Sequence, residues 1–157
     1  MAGPEDLAAL LAEEERLQFP NFDQATALAL GRLMLDRAER DRLPVTIDIR
    51  RGEQQLFHAA LPGTSADNDA WVERKARAVR RFGHSSWYLG CLARAKGYDF
   101  HAKFALDPAR FAAHGGSFPI FVKGTGAIGT VTVSGLPQQE DHRFVTAMLH
   151  EFLVTMA

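Results

Sequence analysis

The sequence predicts a single α+β domain in which an antiparallel sheet is flanked by helices. Two pairs of period-two segments carry that prediction. Val45 to Arg50 sets Val45, Ile47 and Ile49 against Thr46, Asp48 and Arg50, and Gln54 to Ala60 returns across the turn Arg51-Gly52-Glu53. Phe118 to Lys123 and Ile128 to Ser134 bracket the glycine turn Gly124 to Gly126 in the same way. Such alternation marks half-buried strands, and strands joined by short glycine turns pair as hairpins. The third observation is placement: segments with apolar residues at helical spacing precede, separate and follow the hairpins.

In chain order, residues 1 to 20 read as an N-terminal helical extension and residues 21 to 157 as the domain. Pro4 to Leu17 suits a short helix, with Leu7, Leu10, Leu11 and Leu17 over an acidic back, broken at Phe19-Pro20-Asn21. A second helix runs from about Asp23 to Asp41. Asn21 or Asp23 caps it, and Ala27, Leu30, Met34 and Ala38 form a stripe that Leu28 and Leu35 widen for contact with a sheet. Leu61-Pro62-Gly63-Thr64 ends the first hairpin. Asp67 or Asn68 then caps a third helix through Phe82, with Trp71, Val72, Ala76, Val79 and Phe82 on one face. Gly83 punctuates it, and Ser85 caps a continuation from Trp87 to Lys96 that stops at Gly97. Asp107-Pro108 opens a short helical turn to His114. After the second hairpin, Gly135-Leu136-Pro137 makes a sharp corner into the last helix, Gln138 to Thr155. Phe144, Val145, Met148, Leu149 and Phe152 recur along that helix, and Glu140 and Asp141 suit its positive end. A ribbon delivered onto a helix N-terminus can build a concave site from backbone amides and a few side chains.

At 157 residues, 46% hydrophobic and 24% charged, the chain has ordinary globular composition for one domain. A formal net charge of −1 argues against a nucleic-acid binder, which would carry a basic excess. A single cysteine, Cys91, cannot form an internal disulfide. No apolar run is long enough to span a bilayer, and the acidic, amphipathic N-terminus does not resemble a secretory signal. A cytoplasmic location, with no membrane partner, is expected. Eleven Phe and two Trp are many aromatics for this size, and predict a symmetric interface outside the monomer core.

Local motifs are mostly structural. Gly124 to Gly129 spells the dinucleotide pattern G-x-G-x-x-G, but strand follows where that fingerprint needs a helix, so it reads as a hairpin turn with a bulge. Gly83-His84-Ser85-Ser86-Trp87 approaches a nucleophile elbow, yet Trp87 replaces the closing glycine and helix precedes it. Ser85 reads as a cap. The six histidines, at 58, 84, 101, 114, 142 and 150, show no helical zinc pair, and no metal is expected. His142, beside Asp141 in the first helical turn, reads as a neutral ligand or acceptor, or as a hydrogen-bonded packing residue. Arg74, Arg77 and Arg81 share a stripe on the third helix that is either solvated or receives an anion or acidic partner. Trp71 and Trp87 read as core or subunit-interface aromatics.

Several motifs occur in series: Asn68-x-x-Trp71-x-x-x-Lys75; Phe82-Gly83-His84-Ser85-Ser86; Gly116-x-Phe118-Pro119-Ile120; Gly129-x-Val131-x-Val133-Ser134-Gly135-Leu136-Pro137; and Asp141-His142. Together, over about residues 21 to 155, they resemble the haem-degrading-domain family typified by GlcG and HbpS, within it the branch called uncharacterised protein family (UPF) 0303. The resemblance implies a profilin-like (GlcG-like) fold and homo-oligomers. Some relatives bind haem or degrade it with iron release. It carries over no catalytic residue.

Among the matched residues, Gly116, Gly129, Gly135 and Pro137 read as backbone-geometry positions. Asn68, Lys75, Ser85, Ser86, Ser134, Asp141 and His142 form a polar set expected to line a small ligand pocket, or else to cap helices and satisfy buried backbone. The function expected is an oligomeric protein that binds a small ligand or cofactor, haem above all, with His84, His101, His114 or His142 as iron donor. The alternative is a non-enzymatic oligomeric adaptor acting through the acidic N-terminal helix and the basic stripe. A third reading is a hydrolase using Ser85 or Ser134 with His142.

Overall fold

The computed structural model describes residues 6–157, so the expected helix start at Pro4 lies outside the described residues. The elements are α1 (Leu7–Arg16), β1 (Gln18–Phe19), α2 (Gln24–Arg40), β2 (Thr46–Arg51), β3 (Gln54–Ala60), α3 (Ala66–Phe82), α4 (Ser86–Lys96), α5 (Phe100–Phe104), β4 (Ser117–Val122), β5 (Gly126–Ser134) and α6 (Gln138–Met156). They form one five-stranded sheet in the order β1-β4-β5-β2-β3. Both expected hairpins, β2–β3 and β4–β5, are antiparallel, and they join through an antiparallel β2–β5 pair. Gly129 sits within β5, opposite Arg51 and Ile120, so the glycine run is hairpin and not a dinucleotide loop. No helix among the described residues is long and apolar enough to cross a membrane.

Three local expectations need correction. Gln18–Phe19, read as the edge of a break, adds a parallel edge strand against Phe121–Val122 and buries Phe19 completely. The third helix starts at Ser65, not at Asp67 or Asn68. Asn68 Oδ1 accepts the Ser65 amide at 3.0 Å while Ser65 Oγ accepts the Asp67 amide at 3.3 Å, a reciprocal cap. The helical turn expected from Asp107 to His114 closes only as far as the Arg110 and Phe111 amides on the Asp107 carbonyl. The next amide, Ala112, donates instead to the Arg74 carbonyl at 3.1 Å, which pulls the chain extended toward β4. Asp99 also caps a short α5, Phe100–Phe104, too short to leave a helical period in the sequence.

The two faces of the sheet differ in chemistry. Ile47, Ile49, Phe118, Ile120, Val131 and Val133 point to one side and form the main core with Leu30 and Met34 of α2 and Val145, Met148 and Leu149 of α6. The alternate residues Thr46, Asp48, Arg50, Ser117, Thr130, Thr132 and Ser134 are also buried. α3 packs on that polar side and supplies Glu73, which Arg50 bonds at 2.9 Å while bonding Asp48 of its own strand at 2.7 Å. Burial works to lower the Arg50 pKa, but those two carboxylates hold it above its ordinary value. Gln55 Nε2 reaches Asp48 at 2.6 Å and His58 Nδ1 lies 2.9 Å from it, so the wholly buried carboxylate is satisfied. A second core joins Tyr88, Leu89, Phe100 and Leu106 to Leu7 and Leu10 of α1.

Candidate ligand cleft

On α3, Asn68, Trp71 and Lys75 are spaced i, i+3, i+7 and therefore share one side of the helix. That side meets the end of β5 and the corner into α6. Lys75 Nζ donates to the Val133 carbonyl at 3.0 Å and to Asp141 Oδ2 at 3.1 Å. Asp141, in the first turn of α6, reaches back over the corner: its Oδ1 accepts the Leu136 amide at 2.9 Å and its Oδ2 the Gly135 amide at 3.4 Å. Pro137 provides no side-chain cap for α6, so the carboxylate four residues on does the holding. Asn68 Nδ2 donates to Ser134 Oγ at 3.2 Å. These groups border a cleft of about 380 Å³, whose other walls include Trp71, His114, Leu136 and Gln138. Ligand pockets run from about 300 to 1,000 Å³, so the cleft suits a small molecule or one part of a larger one.

Burial dominates the electrostatics. Lys75 is 3% exposed and Asp141 1%. Loss of water lowers the Lys75 pKa and raises that of Asp141, each opposed by the partner's charge. At the mouth, burial first and then the nearby Lys75 and Arg74 lower the His114 pKa, leaving its imidazole neutral at neutral pH. The His114 ring lies 5.0 Å from the Trp71 ring, and the Arg74 guanidinium sits 4.4 Å over that indole. No hydrogen bond to the His114 ring occurs among the described residues.

The expected polar set divides. Asn68, Lys75, Ser134 and Asp141 border this cleft. Ser85, Ser86 and His142 do not. Ser85 Oγ caps α4 through the Tyr88 amide at 3.1 Å, and Ser86 Oγ bridges to the Ser117 amide at 3.0 Å. His142 packs between the Trp87 and Phe118 rings, and its Nε2 lies 2.9 Å from Glu13 of α1. Beside it, Glu14 accepts the Ser85 amide at 3.0 Å and lies 2.7 Å from His84 Nδ1. Neither Ser85 nor Ser134 bonds His142, so the hydrolase pairing is not formed among the described residues. The basic stripe is engaged locally: Arg74 holds the Pro108 carbonyl at 3.1 Å and Arg77 the Arg110 carbonyl at 2.8 Å. No cluster of possible metal ligands occurs among the described residues. Trp71, expected in a core or interface, is half-buried at the cleft. Its spacing from Asn68 and Lys75 was the available signal. Gln138, which accepts the Gly115 amide at 2.9 Å, had none.

A helix-covered sheet of joined antiparallel hairpins, with a cleft where one helix meets a strand-corner-helix, defines the class of domain. The chain belongs to the HbpS-like haem-degrading protein family, whose model matches residues 22–150. A UPF0303 protein of Streptomyces avermitilis is 53% identical over 97% of this chain and 93% of its own length. Among solved structures, the Ybr137w protein superposes with a TM-score of 0.89 at 31% identity, covering 96% of this chain and 89% of that one. The PduOC complex with heme shares the fold, with a TM-score of 0.70 at 15% identity over 82% of this chain and 93% of that one.

Proposed function

We propose that this protein binds a small ligand in the Asn68–Lys75–Ser134–Asp141 cleft, that haem is a ligand of it, and that His114 is the iron donor. The position of His114 in the cleft wall carries the reading. An axial ligand must offer a neutral imidazole with a free nitrogen. His84, His101 and His142 each have one ring nitrogen in contact, with Glu14, the Phe111 carbonyl and Glu13, and none of the three borders the cleft. His114 borders the cleft, its pKa is lowered, and Trp71 and Leu136 give apolar surface beside it. The family match and the heme complex of a structural neighbour support the choice of ligand. Bound haem would supply the iron redox chemistry from which the family takes its name. The adaptor alternative has less support, because α1 commits Glu13 and Glu14 to contacts within the chain.

Haemin titration is expected to give a saturable Soret shift near one equivalent. His114→Ala should weaken binding at least about tenfold, and His101→Ala should leave it unchanged. Equal curves for the parent and His114→Ala would remove His114 from the site, and no shift in the parent would remove haem.

A homo-oligomer is part of the same proposal. Leu28 on α2 and Val154 on α6, 39% and 62% exposed, are apolar surface that a symmetric contact would cover. Light scattering at micromolar concentration should give a mass above the 17.3 kDa monomer, and a monomeric mass would overturn this part.

A further inference from the structure

Hydrogen-bonding capacity in the cleft is unevenly engaged. Its inner side-chain acceptors are taken. Asp141 receives Leu136, Gly135 and Lys75, Asn68 Oδ1 receives the Ser65 amide, and Gln138 Oε1 receives the Gly115 amide. The donors are not. An ammonium has three N–H groups, and Lys75 places two of them, on Val133 and Asp141. A primary amide has two, and Asn68 places one, on Ser134 Oγ. The Ser134 hydroxyl proton, the Gln138 Nε2 protons and the Trp71 indole N–H meet no acceptor among the described residues. Asp67 and the acceptor nitrogen of neutral His114 run against this pattern, but both residues are exposed at the rim, where water serves them.

We propose that the cleft recognises a small organic acid, whose carboxylate accepts from Lys75, Asn68 and Ser134 and whose apolar body lies against Trp71 and Leu136. The inference rests on the cleft being a ligand site and names the ligand chemistry that site selects; the carboxylates of haem fall within the class. A carboxylate brings acceptors only, matching a donor surplus, and its bonds to a cation are about twice as strong as neutral ones. Lys75 and Arg74 are balanced by Asp141 and Asp67, so the formal charge around the cleft admits a monoanion more readily than a phosphate dianion. Trp71 and Leu136 supply the apolar wall for that body, the indole braced by His114 at 5.0 Å and Arg74 at 4.4 Å.

Three probes that share one phenyl ring separate the outcomes: benzoate, benzyl alcohol and phenyl phosphate, titrated into the full chain by calorimetry. Benzoate should bind at least about tenfold tighter than either of the others. Asn68→Asp keeps the Oδ1 acceptor of the α3 cap and replaces only the donor. It should weaken benzoate at least about tenfold with no fall in thermal midpoint, and Ser134→Ala should weaken it less. Equal binding of benzyl alcohol would leave a ligand cleft but overturn the acid as its ligand. Tighter binding of phenyl phosphate would assign the donors to phosphate and overturn it too. Binding of none would overturn the inference, with the haemin titration alone deciding the ligand-site reading, and unchanged benzoate affinity in Asn68→Asp would show that these donors do not hold the carboxylate.

Discussion

Lys75→Met is expected to lower folding stability by about 3–5 kcal/mol, the usual penalty for removing one partner of a buried ion pair. What remains is the Asp141 carboxylate, 1% exposed, with two backbone amides and no cation. The surroundings are costly to both charges, since burial already lowers the Lys75 pKa and raises that of Asp141. Removing both charges should therefore hurt less than the two single changes added together. Lys75→Met with Asp141→Asn should show a coupling of about 0.5–3 kcal/mol in a double-mutant cycle. The pH dependence has a definite sign. A carboxyl whose pKa is higher folded than unfolded stabilises the fold below the unfolded value and loses that contribution as pH rises through the folded value. Without Lys75 the upward shift of Asp141 grows. The deficit of Lys75→Met relative to the parent should then be smallest near the ordinary carboxyl value of 3.8 and widen toward neutrality. Urea denaturation at both ends of that range measures it. A constant deficit would mean that the stranded charge is not the cause.

The hairpins were legible because two alternating strands about a glycine turn leave a pattern many residues long. The second strand pair, expected at Phe118–Lys123 and Ile128–Ser134, is found at Ser117–Val122 and Gly126–Ser134. A strand of two residues has no period, so β1 was invisible, although it buries Phe19. Alternation also separates faces without saying what covers them. Thr46, Asp48 and Arg50 read as the polar side of a half-buried strand, but α3 roofs that side, and Asp48 has no exposure at all. The site shows the same limit at the scale of one residue. Asp141 and His142 are neighbours in sequence, yet successive residues on a helix diverge by about 100°. One carboxylate holds the corner while the adjacent imidazole faces α1. Ser85 and Ser86 were likewise grouped by their motif, whereas Asn68, Trp71 and Lys75 could be grouped by helical geometry. That spacing survived folding.

Gly135→Ala and Gly124→Ala make the same chemical change and should differ by about 2–3 kcal/mol. Gly124, in the β4–β5 turn, has φ +77°, and a methyl group there would meet nothing within 4 Å. Its replacement should cost about 1–2 kcal/mol, the penalty for left-handed backbone alone. Gly135 has φ +152°, and a Cβ on it would overlap the Pro44 carbonyl oxygen and press on Val45 Cα at 3.0 Å. Strain and overlap together should cost about 3–5 kcal/mol. Relief by backbone movement is blocked on the opposite side, where Asp141 holds the Gly135 and Leu136 amides and is itself tied to Lys75. Any shift that frees the methyl group must loosen those bonds and displace Ser134, the residue before it. Gly135→Ala should therefore lose benzoate affinity in the folded fraction although no ligand-facing side chain has changed, while Gly124→Ala keeps it. Urea unfolding and benzoate titration on the two variants read stability and cleft separately. Loss of stability in Gly135→Ala with full benzoate affinity would show that the corner supports the fold without shaping the cleft.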